Sequence, residues 1–354
     1  MTRETLFYLG PEGTFTHQAA MEAADQLTRA GVADDGFTLR ALDDVPAIMR
    51  AVEHGEGWGV VAWENNVEGY VVPNLDALID ARDVAGFARV RVDVAFDAFT
   101  RHGDDPLAAR ADGGDVEDAA ATGTTTIPVS AHPHGLAQCK RFIAAHGLTP
   151  TPASSNAAAC RDLEPGGVAL GPHICGELYG LDTLAAHVQD FEGAHTDFLV
   201  LGSRDAVRAL NAHARASHGE FETILTLIPL VTGPGVLADV LDVLRDAGLN
   251  MTSFISRPIK GTDGTYSFIA TLDAAPWEPR FRAVLKEIAE HGDWLKTLAV
   301  YPRRERPNPP VETWRLPDGG MRFDASPGAA KADDGDAPAA DWDERHDVRR
   351  ELLW

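Results

Sequence analysis

Short apolar runs that stop at glycine, proline or polar clusters, alternating with alanine-rich helical patterns, restrict what this chain can fold into. Leu6 to Leu9, Gly59 to Trp63 and Val168 to Leu170 are such runs. The alternation predicts an α/β architecture of parallel sheets covered by helices. Beyond residue 220 the pattern changes. Thr223 to Leu230 is rich in β-formers, Gly233-Pro234-Gly235 turns the chain, and Val236, Leu237, Val240, Leu241 and Leu244 recur at helical spacing up to Gly248. Asn250 to Arg257 and Thr265 to Leu272 read as strands around a turn at residues 260–264. Arg280 to His291 reads as a helix and Leu295 to Tyr301 as a last strand. The resulting order is βαββαβ, a ferredoxin-like module.

A chain of 354 residues, 44% hydrophobic, buries sizeable cores and has room for about two domains. A formal charge of −23 argues against nucleic acid or an anionic membrane surface as partner, because both would be repelled. It also means that an anionic substrate needs local cations or backbone N–H donors. No stretch has the length of an apolar membrane span and no signal-peptide pattern is seen, so a cytoplasmic location is expected. Cys139, Cys160 and Cys175 lack metal-ligand spacing and read as small buried thiols. His132 and His134 flank Pro133 with no third ligand in view, so neither a metal nor another cofactor is expected.

Several motifs follow one another in a telling order. Tyr8-Leu9-Gly10-Pro11-Glu12-Gly13-Thr14-Phe15-Thr16-His17 reads as a strand running into a glycine turn. Trp63-Glu64-Asn65-Asn66, Ala131-His132-Pro133-His134 and Ser154-Ser155-Asn156-Ala157 come next, then His195-Thr196-Asp197-Phe198. In this order they resemble the blocks of the prephenate dehydratase family over residues 5 to 302. The resemblance implies a catalytic region, residues 5–204, of two α/β lobes around a cleft, similar to periplasmic binding proteins. A linker over 205–220, an ACT regulatory module over 221–302 and a tail over 303–354 would follow. The tail's composition, low in apolar residues, predicts disorder, and residues 104–126 read as a surface insertion.

The resemblance also implies which residues face prephenate. Thr196 would present a hydroxyl, Glu64 would hold donors or act as an acid, and Asn66 stands where the family has serine. Thr14, Asn65, Ser155, Asn156, Asp197 and Phe198 would line the substrate, with Ser155 and the Gly13-Thr14 turn offering donors to its carboxylates. The block departs from the family's Thr-Arg-Phe at Asp197. An anion beside a substrate with two carboxylates would turn attraction into repulsion. Asn66, Tyr70, Asn74, Asn156 and Ala194 are further departures, and the Ser155 and Gly13-Thr14 donors would have to replace the missing cation unless Arg3, Arg101 or another distant cation folds into the cleft. This pattern is similar to that of prephenate decarboxylases, relatives in secondary metabolism that release CO2 without aromatising the ring.

Three readings stay open: a lyase that decarboxylates prephenate to a dihydro-4-hydroxyphenylpyruvate, a dehydratase giving phenylpyruvate, and a binding protein without turnover. In the module, Gly235, Val236, Leu237, Asn250, Ser256 and Arg257 match the sites that hold an amino-acid effector across a dimer. Ile255 takes the place of an acidic residue, which should weaken phenylalanine binding. A homodimer or homotetramer is expected.

Overall fold

The computed structural model describes residues 3–108, 126–217, 219–231, 233–262, 264–303, 310–317, 351 and 353. Most of the segment read as an insertion and most of the tail therefore lie outside the described residues, as does part of the turn at 260–264. Residues 1–304 form one compact unit. Within residues 305–354, Thr313–Arg315 forms a 3-10 turn whose Arg315 guanidinium lies over the Trp314 ring.

The first lobe is a sheet with helices on both faces. Strand β1 (Glu4–Leu9) is followed by α1 (Phe15–Arg29), β2 (Phe37–Leu42), α2 (Val45–Glu53), β3 (Trp58–Asn65), β4 (Gly69–Tyr70) and α3 (Val72–Asp80). β1 lies parallel to both β2 and β3. Thr14 caps α1 by accepting from His17 N at 3.2 Å, and Asp44 caps α2 by accepting from Ala47 N at 2.6 Å. Each side chain satisfies an N–H that the helix itself leaves free.

The chain crosses to the second lobe through β5 (Val84–Asp93) and β6 (Asp97–Arg101). It runs through β7 (Pro128–Ala131), α4 (Pro133–Gln138), α5 (Lys140–Ala145), β8 (Thr149–Pro152), α6 (Asn156–Arg161), β9 (Val168–Gly171), α7 (Ile174–Tyr179) and β10 (Leu181–Ala185), and returns on β11 (His195–Ser203). The second sheet has the order β10-β6-β9-β7-β8. This is the expected two-lobed α/β arrangement.

Most of residues 205–220, expected as a linker, lies in α8 (Arg204–Ser217). Its Val207 is buried in one core with Leu6, Tyr8, Ala19, Ala23, Val60 and Phe198, so this helix packs on the first lobe.

The C-terminal strands and helices are β12 (Phe221–Ile228), α9 (Val236–Asp246), β13 (Met251–Pro258), β14 (Tyr266–Leu272), α10 (Pro279–Glu290) and β15 (Trp294–Pro302). The βαββαβ order predicted from sequence is present, with strands ordered β13-β14-β12-β15. The module is not a separate body. β15 continues into the first lobe's sheet through one parallel pair with β5, Ala299 opposite Gly86, giving the order β13-β14-β12-β15-β5-β11-β3-β1-β2. A Cβ on Gly86 would lie 2.8 Å from that of Ala299, so the junction requires glycine. Ile224, Ile269, Leu298 and Tyr301 of the module share a core with Ile48, Leu75, Leu78, Leu199 and Leu201.

Candidate active site

In open α/β sheets the strand ends carry loops and helix N-termini, and ligands collect at the C-terminal ends. Here those ends from the two lobes meet. The turn after β1 meets α7: Cys175 Sγ donates to Gly13 O at 3.2 Å and Tyr179 Oη to Glu12 O at 2.7 Å. Gly13, at φ +83°, lets the turn come this close, since a Cβ there would sit 3.0 Å from Tyr179 Oη. The turn after β3 meets α4 through Glu68 and His134, Oε2 to Nδ1 3.5 Å. Phe15 packs edge-on to Phe96 between the lobes.

Thr196, the second residue of β11, lies opposite Asn65. Asn65 Oδ1 accepts from Val67 N at 2.9 Å and Glu68 N at 3.0 Å, which fixes the amide, and its Nδ2 donates to Thr196 Oγ1 at 3.0 Å. With one lone pair of Thr196 engaged, its own O–H is free to turn outward as a donor. Ser155 caps α6 by accepting from Ala158 N at 2.9 Å and keeps its O–H. Asn156 Oδ1 accepts from His132 N at 2.9 Å, tying the end of β7 to α6. Thr14 is engaged on both sides, donating to Pro11 O as well as accepting from His17 N.

Other residues expected in the site are elsewhere. Asp197 is 5% exposed and faces away from Thr196, because successive side chains of a strand point to opposite faces. Its carboxylate takes two hydrogen bonds from Arg91, Nε at 3.1 Å and Nη2 at 3.3 Å, with Arg89 Nη2 at 3.5 Å. The anion is neutralised on the back of the sheet and exerts no repulsion of the kind expected from sequence. Phe198 is 1% exposed and belongs to the core beneath α1 and α8.

Glu64 pairs opposite Asp197 and Tyr70 and shares their face. Burial, aided by the charge of Asp197, pushes its carboxyl above the usual range, while Arg89 and the Tyr70 hydroxyl pull it back. Tyr70 Oη donates to Ser253 Oγ of β13 at 2.6 Å, and burial pushes its phenol up to about 12. Asn66 bridges backbone groups: Nδ2 donates to Gly193 O at 2.9 Å and Oδ1 accepts from His195 N at 2.7 Å. It latches the strand crossover and offers no relay. Asn74 is buried and donates to Ala62 O at 2.7 Å, and Ala194 lies in the second lobe's core. Arg3 donates to Asp35 O and Arg101 to Leu163 O, so neither cation enters the cleft.

The cleft's imidazoles went unassigned in the sequence reading. His17 Nδ1 accepts from Gly13 N at 3.1 Å and His132 Nδ1 from His134 N at 3.3 Å, so a neutral ring carries its proton on Nε2 in each. Burial, above all, lowers the pKa of both. Their positions inside the quoted blocks were the available signal. Arg89 and Arg91 also went unnoticed, although Arg89-Val90-Arg91-Val92 is a period-two pattern that puts two cations on one sheet face in need of carboxylates.

In the module, Val236 and Leu237, beside Gly235 at the start of α9, line a small cavity with Tyr266 and Phe268. Ser256 lies opposite Phe268 in the β13–β14 ladder. Arg257, expected near an effector, instead pairs with Asp76 of α3, Nε to Oδ1 3.2 Å and Nη2 to Oδ2 3.0 Å. Asn250 Nδ2 donates to Asp273 Oδ2 at 2.5 Å, and Ile255 packs on the core shared with the first lobe.

The family model described as prephenate dehydratase matches residues 6–206. The chain belongs to the prephenate dehydratase family. The prephenate dehydratase of Mycolicibacterium gilvum is 32% identical over 271 residues, 74% of this chain and 79% of its own. A solved prephenate dehydratase from Arthrobacter aurescens, in complex with L-Phe, is 26% identical with a TM-score of 0.65, covering 84% of this chain and 90% of its own. GqqA, described as a novel type of quorum quenching acylase, has a TM-score of 0.67 at 22% identity, covering 85% and 98%, and shares the fold. No helix among the described residues is long and apolar enough to cross a membrane.

Proposed function

We propose that the chain is a prephenate dehydratase, converting prephenate and a proton to phenylpyruvate, CO2 and water. The observation that carries this reading is the position of Asp197. The residue that replaces the family's arginine lies behind the strand, bound to Arg91 and Arg89, and puts no anion on the Thr196 side of β11. The decarboxylase reading drew on an anion at Asp197 and on the loss of small hydroxyls at Asn66, Tyr70, Asn74 and Asn156, with Ala194 in place of asparagine. Asp197, Asn66, Tyr70 and Asn74 are bound to other groups of the protein and Ala194 is in a core, which leaves Asn156 as the one such substitution among the residues placed in the site.

In the proposed reaction the ring carboxylate leaves as CO2 and its electron pair enters the diene. The 4-hydroxyl then departs as water and the ring becomes aromatic. Thr196, held by Asn65, donates its proton toward the departing oxygen. The Ser155 hydroxyl and the Nε2–H groups of His17 and His132 are the donors available to the substrate carboxylates. The module is read as an ACT-type regulator, a reading supported by its topology and by the L-Phe complex of the Arthrobacter relative.

The test is incubation with prephenate, following phenylpyruvate absorbance and the product mass together. Wild type should lose both CO2 and water, and Thr196→Val should lose roughly a hundredfold or more in rate at an unchanged melting temperature. A product that keeps the hydroxyl after losing CO2 would restore the decarboxylase reading, and no turnover would restore the binding-protein one.

A further inference from the structure

After their single pair at Gly86 and Ala299, β5 and β15 part, and a cavity of about 430 Å3 opens where they separate. Its walls are β5, the end of β15, the last turn of α1 and one face of α8. The volume lies within the range of small-molecule sites. Leu27, Phe87 and Leu210 give it an apolar body.

The charged lining has one sign. Arg29, Arg89 and Arg303 line the cavity, with His213 beside them, and, among the described residues, no Asp or Glu does, in a chain whose net charge is −23. Arg89 and Arg303 are anchored from behind, Arg89 by Asp197 and Glu222 and Arg303 by Asp273 at 2.9 Å. Arg29 makes no ion pair to another described residue. A second observation is independent of charge. Asn211 of α8 is 8% exposed and lines the cavity, yet its side-chain amide makes no hydrogen bond to another described residue. Its donor and acceptor are therefore available to a ligand in the cavity.

We propose that this cavity is a second ligand site, separate from the interlobe cleft and from the pocket beside Gly235. Its ligand class is a small amphipathic carboxylate without an ammonium group: an apolar ring or branched chain bearing one carboxylate. The body rests on Leu27, Phe87 and Leu210, and the carboxylate meets the cationic rim and the Asn211 amide. With no acidic side chain in the lining, an amino acid's ammonium group would stand near guanidinium groups with no carboxylate to pair with. The site therefore selects the deaminated acid over the amino acid.

Calorimetric titration of the full chain with 3-phenylpropanoate tests this. Saturable binding is expected. It should weaken by roughly tenfold or more in Ala30→Trp, which fills the cavity from an exposed position, and in Asn211→Leu, which removes the amide at similar volume. Thr196→Val should bind as wild type does, and L-phenylalanine should not displace the probe. Absence of binding at millimolar probe would overturn the proposal. So would affinity unchanged in both cavity variants, affinity lost in Thr196→Val, or displacement by L-phenylalanine.

Discussion

Thr196 and Asp197 are neighbours in the chain and lie on opposite faces of a sheet, and the chemistry of the family block divides accordingly. The threonine is held by an amide from β3, while the aspartate closes an ion pair beneath the module. Asn66 shows the same division between motif and role. Its two backbone bonds make Asn66→Ser a loss, not a recovered donor. We expect a stability decrease of about 1–2 kcal/mol and no gain in phenylpyruvate, read from thermal melts and product assays. Glu64 supplies a pH signature. The folded chain keeps its proton at a pH where the unfolded chain has released it. The stability this contributes is complete below the ordinary carboxylate range and is lost as pH rises through the raised value. Glu64→Gln, a fixed analogue of the protonated acid, should therefore melt above wild type at neutral pH, with the difference closing toward acid. A gap independent of pH would remove the assignment.

At the scale of elements, α3 is the piece on which the module docks. Its C-terminal carbonyls lack helical partners, and Lys296 of β15 donates to Leu78 O at 3.2 Å, Ile79 O at 2.5 Å and Ala81 O. Arg257 holds the same helix through Asp76. Lys296→Met keeps the apolar stem and removes the donors, so a loss of about 1.5–3 kcal/mol in denaturant unfolding is expected. The elements themselves were largely legible in the sequence. The βαββαβ order follows from period-two runs and glycine turns, and the α/β lobes from the alternation of short apolar runs with helical patterns. What the sequence withheld was which face each residue occupies. The partners that decide it, Arg91 for Asp197 and Ser253 for Tyr70, lie 106 and 183 residues away. A bulge between β11 and β3, at Asp197 and Phe198, also breaks simple counting along the ladder. Residues 204–217 were ambiguous because only Val207, Leu210 and Asn211 mark the buried side of α8 among alanines and charges.

For the molecule as a whole, the family match ends at residue 206 while the folding unit does not. The one pair joining β15 to β5 means that β5 has a neighbour on each side only when Gly86 and Ala299, far apart in the chain, have come together. A chain cut after Ser203 would leave β5 as a bare edge and uncover the side of Leu75, Leu78 and Val84 that Ile224, Ile269 and Leu298 cover. Open edges of this kind recruit other strands. Such a fragment should self-associate in light scattering where the full chain keeps a defined size, and a well-behaved monomeric fragment would show that the joint is dispensable. During synthesis the same gap persists until Ala299 leaves the ribosome. The nascent first lobe must wait, edge exposed, for the last strand of the unit, and the interval is one in which chaperones would be expected to act.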